Sequence, residues 1–380
     1  MQNKELFKGL KVLELASVLA GSSVGQFFAE LGSEVIKVEN SKAGGDVTRS
    51  WYTAQESGEK LSAYFCSVNW GKKSIDLDLH QQADRDIVYQ LIATSDIVIA
   101  SYKPGDDIKL GMDYDTLKDR NERIIYGQIS GYGRSNPKVG YDAVIQAESG
   151  FMDLNGEKSG SPTKMPVALI DVLAGHQLKE AILIALLERT YTGKGQLVEV
   201  SLIQTALSSL ANQASNWLHA GNIPTRQGSL HPNIAPYGET FETQDKKQIL
   251  LAIGSDSQFR KLCHLLGLNE IATQAEFADN KARVKNRIRL GEILKIQFRD
   301  RLSGDLVSRF NSDNIPAGLI QNVAEAFEMK EARQLLIKAS EYVGVKTYIA
   351  EGRLNTHKNL SPPPQLGEHK KEILSMLKLE

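Results

Sequence analysis

Residues 11–39, KVLELASVLAGSSVGQFFAELGSEVIKVE, carry the pattern that decides the fold class. Lys11–Leu15 has the composition of a short strand, and Ser22–Leu31 then places its apolar residues at helical spacing. This helix is predicted to begin at its serine cap and to end at Gly32. Glu34–Glu39 returns to the two-residue period of a strand. Because the three elements fit within fewer than 30 residues, they predict two parallel strands joined by a right-handed crossover.

The same alternation of strand and helix continues through about the first 220 residues. Further strands are predicted at Lys73–Leu79, Ile97–Ile99, Ile124–Tyr126 and Leu197–Val200, and helices at Gln82–Ala93, Val172–Arg189 and from the last strand to about His219. Strands that alternate with helices predict a mostly parallel sheet with helices on both faces. The first part of the chain is therefore expected to be a Rossmann-like α/β domain.

A second region follows the last of these helices. Gly221–Gly238 contains three prolines and no regular period, so we interpret it as a linker. Glu239–Thr243 and Gln248–Ile253 predict a β-hairpin. Two or three helices are expected between Ser257 and Phe310. These patterns predict a smaller α+β domain.

Composition excludes several classes of protein. The 380 residues carry 45 Lys and Arg against 46 Asp and Glu, and this net charge of −1 argues against a nucleic-acid-binding surface. Two cysteines, Cys66 and Cys263, are too few and too far apart for a disulfide framework or a thiolate metal site. No apolar run approaches the ~20 residues of a membrane span, and the start, MQNKELFKGLKV, lacks the apolar core of a signal peptide. We therefore expect a cytoplasmic protein with no nucleic-acid partner and no membrane partner.

Three turns of the predicted sheet are candidates for ligand binding. Ala20–Gly25 carries two glycines where a phosphate can meet a helix N-terminus, but it lacks the G-x-G-x-x-G pattern and the Walker lysine. This turn therefore leaves an NAD-dependent dehydrogenase as one hypothesis, although the need for a tight turn explains the two glycines better. Asn69–Ser74 places two lysines before a strand, which suits either a nucleotide phosphate or a solvated surface. Ser101–Gly105 lies at the carboxyl edge of the sheet, as a ligand site or as a plain Pro-Gly turn.

Asp171 is the main candidate for covalent chemistry. It follows the apolar run Val167–Ile170 and begins a predicted long helix. It is therefore either the N-cap of that helix, which is the commoner situation, or a carboxylate that the helix dipole keeps ionised and nucleophilic. Further candidates are His176, Tyr141–Asp142 and His231–Pro232. No set of His, Cys, Asp and Glu has metal-ligand spacing, and no G-x-S-x-G serine nucleophile is present.

Blocks along nearly the whole chain carry the pattern of one family. They are VLELASVLAG…AELGSEVIKVE (Val12–Glu39), GDVTRSW (Gly45–Trp51), NWGKKSIDLDL (Asn69–Leu79), SDIVIASYKPG…LGMDY (Ser95–Tyr114), ISGYGRSNP…GYDAVIQAESGF (Ile129–Phe151), IDVLAGHQ…ALLERTYTGKGQLVEVSL (Ile170–Leu202), RQGSLHPNIAPY (Arg226–Tyr237), IPAGLI (Ile315–Ile320) and PPPQLGEH (Pro362–His369). With these blocks in this order, the chain resembles the class III CoA-transferases. That group includes the formyl-CoA:oxalate and carnitine CoA-transferases and shares its fold with the α-methylacyl-CoA racemases.

The resemblance implies that Asp171, within IDVLAG, is a nucleophile. Its carboxylate would attack the carbonyl of an acyl-CoA, form a mixed anhydride and release the CoA thiolate. The thiolate would then form an aspartyl-CoA thioester, from which CoA passes to an acceptor acid. The expected substrates are an acyl-CoA and a carboxylic acid, with no tightly bound cofactor and no metal.

The resemblance also implies a CoA site and a chain organisation. Residues expected to contact CoA are Val18, Leu19, Asn40, Asn69, Lys72, Ser101, Tyr102, Lys103, Lys109, Lys138 and Tyr141. The large CoA-binding domain is expected to be discontinuous, with residues 1–220 plus 325–380, and the small domain with its linkers is expected at 221–324. Family members form interlocked homodimers, so the same assembly is expected here.

One departure from the transferase pattern and one difference from the racemases bear on the reaction. The run of glycines in formyl-CoA:oxalate enzymes is reduced to a single glycine in Gln227–Pro232, so oxalate is not assigned as the acceptor. Whether this segment closes the active site stays open. Racemases resemble one another in a His-Asp pair where this chain has Tyr141–Asp142, and tyrosine, with a pKa of about 10, is a poor proton acceptor at neutral pH. A racemase and a catalytically silent CoA-binding protein remain the alternatives to a transferase, and the presence of Asp171 argues against the silent protein.

Overall fold

A computed structural model describes residues 7–350 and 359–379 of the chain. These residues divide into two compact units. The first unit comprises the described residues of Met1–Phe151, Lys164–Asn222 and Arg333–Glu380, and the second comprises Met152–Thr163 and Ile223–Ala332. In the part of the chain that the structure describes, no helix is long and apolar enough to cross a membrane.

A six-stranded parallel sheet is the centre of the first unit. Its strands are β1 (Lys11–Leu15), β2 (Glu34–Asn40), β3 (Lys72–Leu77), β4 (Ile97–Ala100), β5 (Ile125–Ser130) and β6 (Leu197–Ser201). They are arranged in the order β3-β2-β1-β4-β5-β6, so the predicted Rossmann-like α/β class is confirmed. Leu13 of β1 lies opposite Ile36 of β2 and Val98 of β4. The strand order reverses between β1 and β4, and ligands of open α/β sheets bind at the carboxyl ends of strands at such a point.

Helices cover both faces of this sheet. The helices of this unit that precede residue 222 are α1 (Ala20–Glu30), α2 (Ala63–Cys66), α3 (Gln82–Ala93), α4 (Asp106–Leu110), α5 (Tyr114–Lys118), α6 (Asp142–Glu148), α8 (Leu169–Thr192), α9 (Leu202–Ser209) and α10 (Asn212–Leu218). The short helix α7 (Phe151–Leu154) begins with the last residue of one segment of this unit and continues into the second unit. Because side chains of a strand alternate between faces, Val12 packs in the core formed with α1 and α8, while Leu13 packs in the core formed with α3.

Two predicted helix boundaries in this unit are wrong. Helix α1 begins at Ala20 and Ser22 does not cap it, because the Ser22 hydroxyl instead accepts a hydrogen bond from the Lys37 ammonium at 3.2 Å. The single helix expected up to His219 is two helices, α9 and α10. Ala211 separates them with a φ of +48°, a left-handed conformation that cannot continue a helix.

The second unit contains a three-stranded antiparallel sheet and its own core. The predicted hairpin is confirmed as β7 (Tyr237–Glu242) paired with β8 (Gln248–Ala252), and β9 (Ala317–Leu319) pairs with β8. The helices are α11 (Asp256–Leu266), α12 (Asn280–Lys285), α13 (Arg287–Arg299), α14 (Ser303–Ser312), α15 (Val323–Phe327) and α16 (Lys330–Arg333). Four helices therefore occupy the stretch where two or three were expected, since Asn286 leaves the helical conformation between α12 and α13.

The end of the chain returns to the sheet of the first unit. After the antiparallel pair β10 (Leu336–Ala339) and β11 (Tyr342–Val345), residues 359–379 form the C-terminal tail, which includes α17 (Lys370–Met376). The tail lies against β3, the edge strand: Gly71 N–H donates to the Ser361 carbonyl and His369 N–H to the Ser74 carbonyl, both at 3.0 Å. Without these hydrogen bonds, the backbone N–H of Gly71 and the carbonyl of Ser74 would face solvent at the edge of the sheet.

Candidate active site

A cleft of about 320 Å³ opens at the carboxyl ends of β1, β4 and β5. It lies at the reversal of strand order, where the topology predicts a ligand site. We call it the cleft, and its lining residues are Ser17–Gly21, Val47, Trp51, Ser101–Pro104, Ile129–Gly131, Lys138–Asp142, Asp171 and Leu202. All of these residues belong to the first unit. The cleft is large enough for part of a substrate of moderate size.

Two glycines hold one wall of the cleft. A Cβ on Gly140 would lie 2.4 Å from the Cα of Gly131, so the backbones touch where side chains would collide. Gly131 follows β5, the sheet strand that ends at Ser130. This close approach ties the segment that contains Lys138 and Tyr141 to the end of β5.

Asp171 lies in the first turn of α8 and lines the cleft. The alternative that Asp171 caps this helix is wrong, because α8 begins at Leu169 with Ala168 at the N-cap position, and Ala168 has no side-chain cap. Asp142 supplies the missing acceptor from another segment. Its Oδ1 atom accepts hydrogen bonds from the backbone N–H of Ile170 at 2.8 Å and of Asp171 at 3.3 Å.

Asp142 is itself fixed by a side-chain amide. Its Oδ2 atom accepts a hydrogen bond from Gln146 Nε2 at 2.6 Å, and Gln146 Oε1 accepts from the backbone N–H of Met165 at 2.9 Å. Asp142 and Gln146 are both buried. The start of α8 is therefore anchored to α6 through a carboxylate that lines the same cleft as Asp171.

The surroundings of Asp171 disfavour its charged form. The side chain is buried, and within residues 7–350 and 359–379 no group donates a hydrogen bond to its carboxylate oxygens. Burial, and then the negative charge of Asp142, raise the pKa of Asp171 from 3.8 to about 7. A carboxylate that no cation neutralises is more reactive towards an electrophile than an ion-paired one.

A second cavity, of about 270 Å³, adjoins the cleft. We call it the adjoining cavity. It lies beyond the carboxyl ends of β1, β2 and β3 and is lined by Leu15–Ser17, Lys37–Asn40, Gly45–Val47, Leu77, Leu79, His80, Tyr102 and Leu110. Ser17, Val47 and Tyr102 line both spaces, so the two are direct neighbours.

The structure brings most of the predicted site residues to these two spaces. Val18, Leu19, Ser101, Tyr102, Lys103, Lys138 and Tyr141 line the cleft together with Asp171, and Asn40 lines the adjoining cavity. Lys138 also pairs with Glu148 and lies over the ring of Tyr132.

Asn69, Lys72 and Lys109 lie elsewhere. Lys72 is buried, and its ammonium contacts Glu14 Oε2 at 2.8 Å and Asn69 Oδ1 at 2.8 Å. The two lysines are the first residues of β3 and not, as expected, the residues before it, and the pleat of the strand separates them: Lys72 is buried, and Lys73 is half-buried beside Glu34. Lys109 is on α4 and forms an ion pair with Asp106 at 2.8 Å.

Several residues of the cleft were not expected from the sequence, among them Val47 and Trp51. Trp51 packs edge-on against Tyr64 with ring centroids 5.0 Å apart. Asp142 was noted only as the partner of Tyr141, since a capping contact to a helix 28 residues later leaves no local pattern. Among the described residues, no group of three or more His, Cys, Asp or Glu side chains could hold a metal ion.

The fold and the site together define a class, an α/β enzyme with a buried carboxylate in a ligand cleft at the switch point of a parallel sheet. The chain belongs to CoA-transferase family III, whose family model matches residues 7–370. The expected family and the expectation of a class III CoA-transferase are thereby confirmed.

Three similar proteins illustrate the match. The succinate–glutarate CoA-transferase of Agrobacterium fabrum is 37% identical over 98% of this chain and 96% of its own length. The human succinyl-CoA:glutarate CoA-transferase is 33% identical over 98% of this chain and 85% of its own length. The crystal structure of a CAIB/BAIF family protein from Brucella suis superposes with a TM-score of 0.89 at 39% identity, over 99% of this chain and 100% of the other.

Proposed function

We propose that this protein transfers CoA from an acyl-CoA thioester to a free carboxylic acid, with Asp171 as the nucleophile. The observation that carries the proposal is the buried carboxylate of Asp171, which lines the cleft and, among the described residues, accepts no hydrogen bond and forms no ion pair. Membership of CoA-transferase family III supports the same reaction class.

The reaction proceeds in balanced acyl exchanges. A carboxylate oxygen of Asp171 attacks the thioester carbonyl carbon, the C–S bond breaks, and the CoA thiolate leaves with the electron pair. The thiolate attacks the Asp171 carbonyl of the resulting mixed anhydride, releases the donor acid and leaves an aspartyl-CoA thioester. The acceptor carboxylate attacks the aspartyl carbonyl of that thioester, the C–S bond breaks, and a second mixed anhydride and the CoA thiolate result. The thiolate then attacks the acceptor's acyl carbon, which forms the new thioester and releases the Asp171 carboxylate. One thioester replaces another, so no net energy source is needed.

CoA is proposed to extend across the two spaces of the first unit. The adjoining cavity, with Asn40 at its edge, receives the adenosine end, and the cleft receives the pantetheine arm and the acyl group beside Asp171. Lys103 and Lys138 provide positive charge near the phosphates, while Val18, Leu19 and Tyr141 contact the arm. In this arrangement residues 1–220 plus 325–380 act as the CoA-binding domain and 221–324 as the small domain.

The acids are proposed to be short dicarboxylates. The similar proteins of Agrobacterium fabrum and human are named for succinate or succinyl-CoA and glutarate, and a further relative from Haloarcula marismortui is named a succinyl-CoA:mesaconate CoA-transferase. All of these acids carry two carboxylates, one of which remains charged when the other is in the thioester.

The proposed assembly is an interlocked homodimer. Leu183, Ile184, Leu187 and Tyr191 are exposed along one side of α8, and Trp217 and Leu218 of α10 are exposed as well. Apolar surface of this kind is usually covered by a partner. Light scattering after size exclusion tests the dimer, and a monomer at micromolar concentration would contradict it. The cytoplasmic location and the lack of a tightly bound cofactor stay predictions.

A panel assay tests the reaction. The purified protein is incubated with succinyl-CoA, acetyl-CoA or formyl-CoA and a library of free carboxylates, and the thioesters are separated by chromatography. New thioesters are expected with the wild-type protein and absent with Asp171→Asn. Deuterium incorporation at the α-carbon of a 2-methylacyl-CoA without transfer would instead indicate a racemase, and CoA binding without either reaction would indicate a silent protein.

A further inference from the structure

The turn between β1 and α1 forms one wall of the cleft in a backbone conformation that its residues disfavour. Val18 has a φ of +65°. A β-branched side chain rarely adopts this left-handed region, so surrounding contacts must hold it there. Val18 and Leu19 both line the cleft that contains Asp171.

Asp46 provides one of these contacts. Its two carboxylate oxygens accept the backbone N–H of Val18, at 3.3 and 3.2 Å. The carboxylate is buried and oriented by Thr48, whose N–H and hydroxyl donate to Oδ1 at 3.0 and 2.8 Å. Its other oxygen lies 2.9 Å from the Lys37 ammonium.

Lys37 contacts the same turn at two further points. Its ammonium donates to the carbonyl of Ala16 at 2.8 Å and to the hydroxyl of Ser22 at 3.2 Å, and it pairs with Glu14 at 2.8 Å. The side chain is 1% exposed, so these partners replace its water. The buried charges therefore hold the turn before Val18, at Val18 and after it.

We propose that Asp46, held by Lys37, is a positioning residue that keeps Val18 in its left-handed conformation and so shapes the cleft wall against which the acyl-CoA lies. The Asp46 side chain is fully buried and borders the adjoining cavity, and its role for the cleft wall is exerted through the backbone N–H of Val18. The proposal rests on the proposed function, because the shaped wall matters to catalysis only if acyl-CoA occupies the cleft.

A double-mutant cycle tests the coupling between the two residues. Glycine adopts a φ of +65° without steric cost, so Val18→Gly removes the need for a hydrogen bond that enforces it. Asp46→Asn is expected to lower kcat/KM for CoA transfer at least about tenfold in the wild-type background but less than about threefold in the Val18→Gly background. Equal losses in both backgrounds would overturn the proposal.

Asp96→Asn is the matched control at the opposite end of β1. Asp96 also accepts a backbone N–H, that of Lys11 at 3.0 Å, and also pairs with a basic side chain, Arg189 at 3.0 Å. Asp96→Asn is expected to lower the melting temperature and to leave kcat/KM unchanged. Its effect is also expected to be the same in the wild-type and Val18→Gly backgrounds. If Asp46→Asn does not fold, Thr48→Val loosens the same carboxylate and is expected to show smaller coupling of the same sign.

A structural readout separates this proposal from the proposed function. A crystal structure of the Asp46→Asn variant is expected to show Val18 at a negative φ and a displaced turn. If Val18 keeps its positive φ there, the positioning role is wrong even when the wild-type protein transfers CoA. If the wild-type protein transfers no CoA, the proposed function fails, and the φ of Val18 in the variant still decides the role of Asp46.

Discussion

The backbone N–H of Asp171 donates to the carboxylate of Asp142 at 3.3 Å, so two acidic residues meet at the start of one helix. Asp142 caps the N–H groups of Ile170 and Asp171 at the start of α8. The carboxylate of Asp171 itself accepts no hydrogen bond from any residue that the structure describes. The contact fixes the backbone of the proposed nucleophile and, at the same time, makes its ionisation less favourable.

A covalent intermediate should be trapped on Asp171. Hydroxylamine added after incubation with an acyl-CoA is expected to convert an aspartyl anhydride or thioester to a hydroxamate, which peptide mass spectrometry locates. Asp171→Asn should lose the label and reduce transfer at least about 10³-fold while CoA binding persists. Asp142→Asn, which leaves Asp171 intact, serves as the control and should still be labelled; a label on any other residue would contradict the assignment.

The rate of transfer should rise with pH through neutrality. Asp171 attacks only as the carboxylate, and burial together with Asp142 raises its pKa from 3.8 to about 7. The acid limb of kcat/KM is therefore expected near pH 7, with a plateau above it. Asp142→Asn removes the neighbouring negative charge and should move this limb to lower pH, while burial keeps it above the ordinary value. A limb that stays in place would show that Asp142 does not influence Asp171.

Replacing the proposed nucleophile should stabilise the protein in alkaline solution. Because the pKa of Asp171 is higher in the folded chain than its ordinary value of 3.8, the folded state loses stability as pH rises from about 4 through about 7. Asp171→Asn does not have this loss of stability, because asparagine does not ionise in this pH range. The melting temperature of the variant relative to the wild type is expected to increase between pH 5 and pH 8, as measured by calorimetry. A difference independent of pH would contradict the raised pKa.

Gly175 should be intolerant of even a methyl group. It lies one helical turn after Asp171, and a Cβ there would meet Ser23 Oγ at 2.5 Å and the Ala20 carbonyl at 3.1 Å. Gly175→Ala is expected to cost about 1–3 kcal/mol of unfolding free energy and to lower kcat by pushing α8 from α1. Gly291→Ala is the control: nothing lies within 4 Å of its Cβ position in α13, so it should stabilise by about 0.5–1 kcal/mol. Urea unfolding compares the two variants.

The sheet was predictable because its strands are short apolar runs whose alternation survives in the folded chain. Val12 and Leu13 face opposite cores as their period requires. Asp171 was predictable as a candidate site residue only through the family pattern, since a helix cap is the commoner interpretation of its local sequence. The predictions of a Ser22 cap and of a CoA contact by Lys72 could not account for contacts between distant segments. Ser22 instead accepts a hydrogen bond from Lys37, and Lys72 forms an ion pair with Glu14, and neither partner is near in sequence.

The C-terminal tail has a consequence for the protein as it is synthesised. Because residues 359–379 lie against β3, this edge of the sheet stays open on the ribosome until they have emerged, although β3 itself begins as early as Lys72. A chain that stops short of residue 359 would keep this edge bare and able to pair with another copy. Premature termination late in the message should therefore yield insoluble aggregates, even though every residue that lines the cleft is already present.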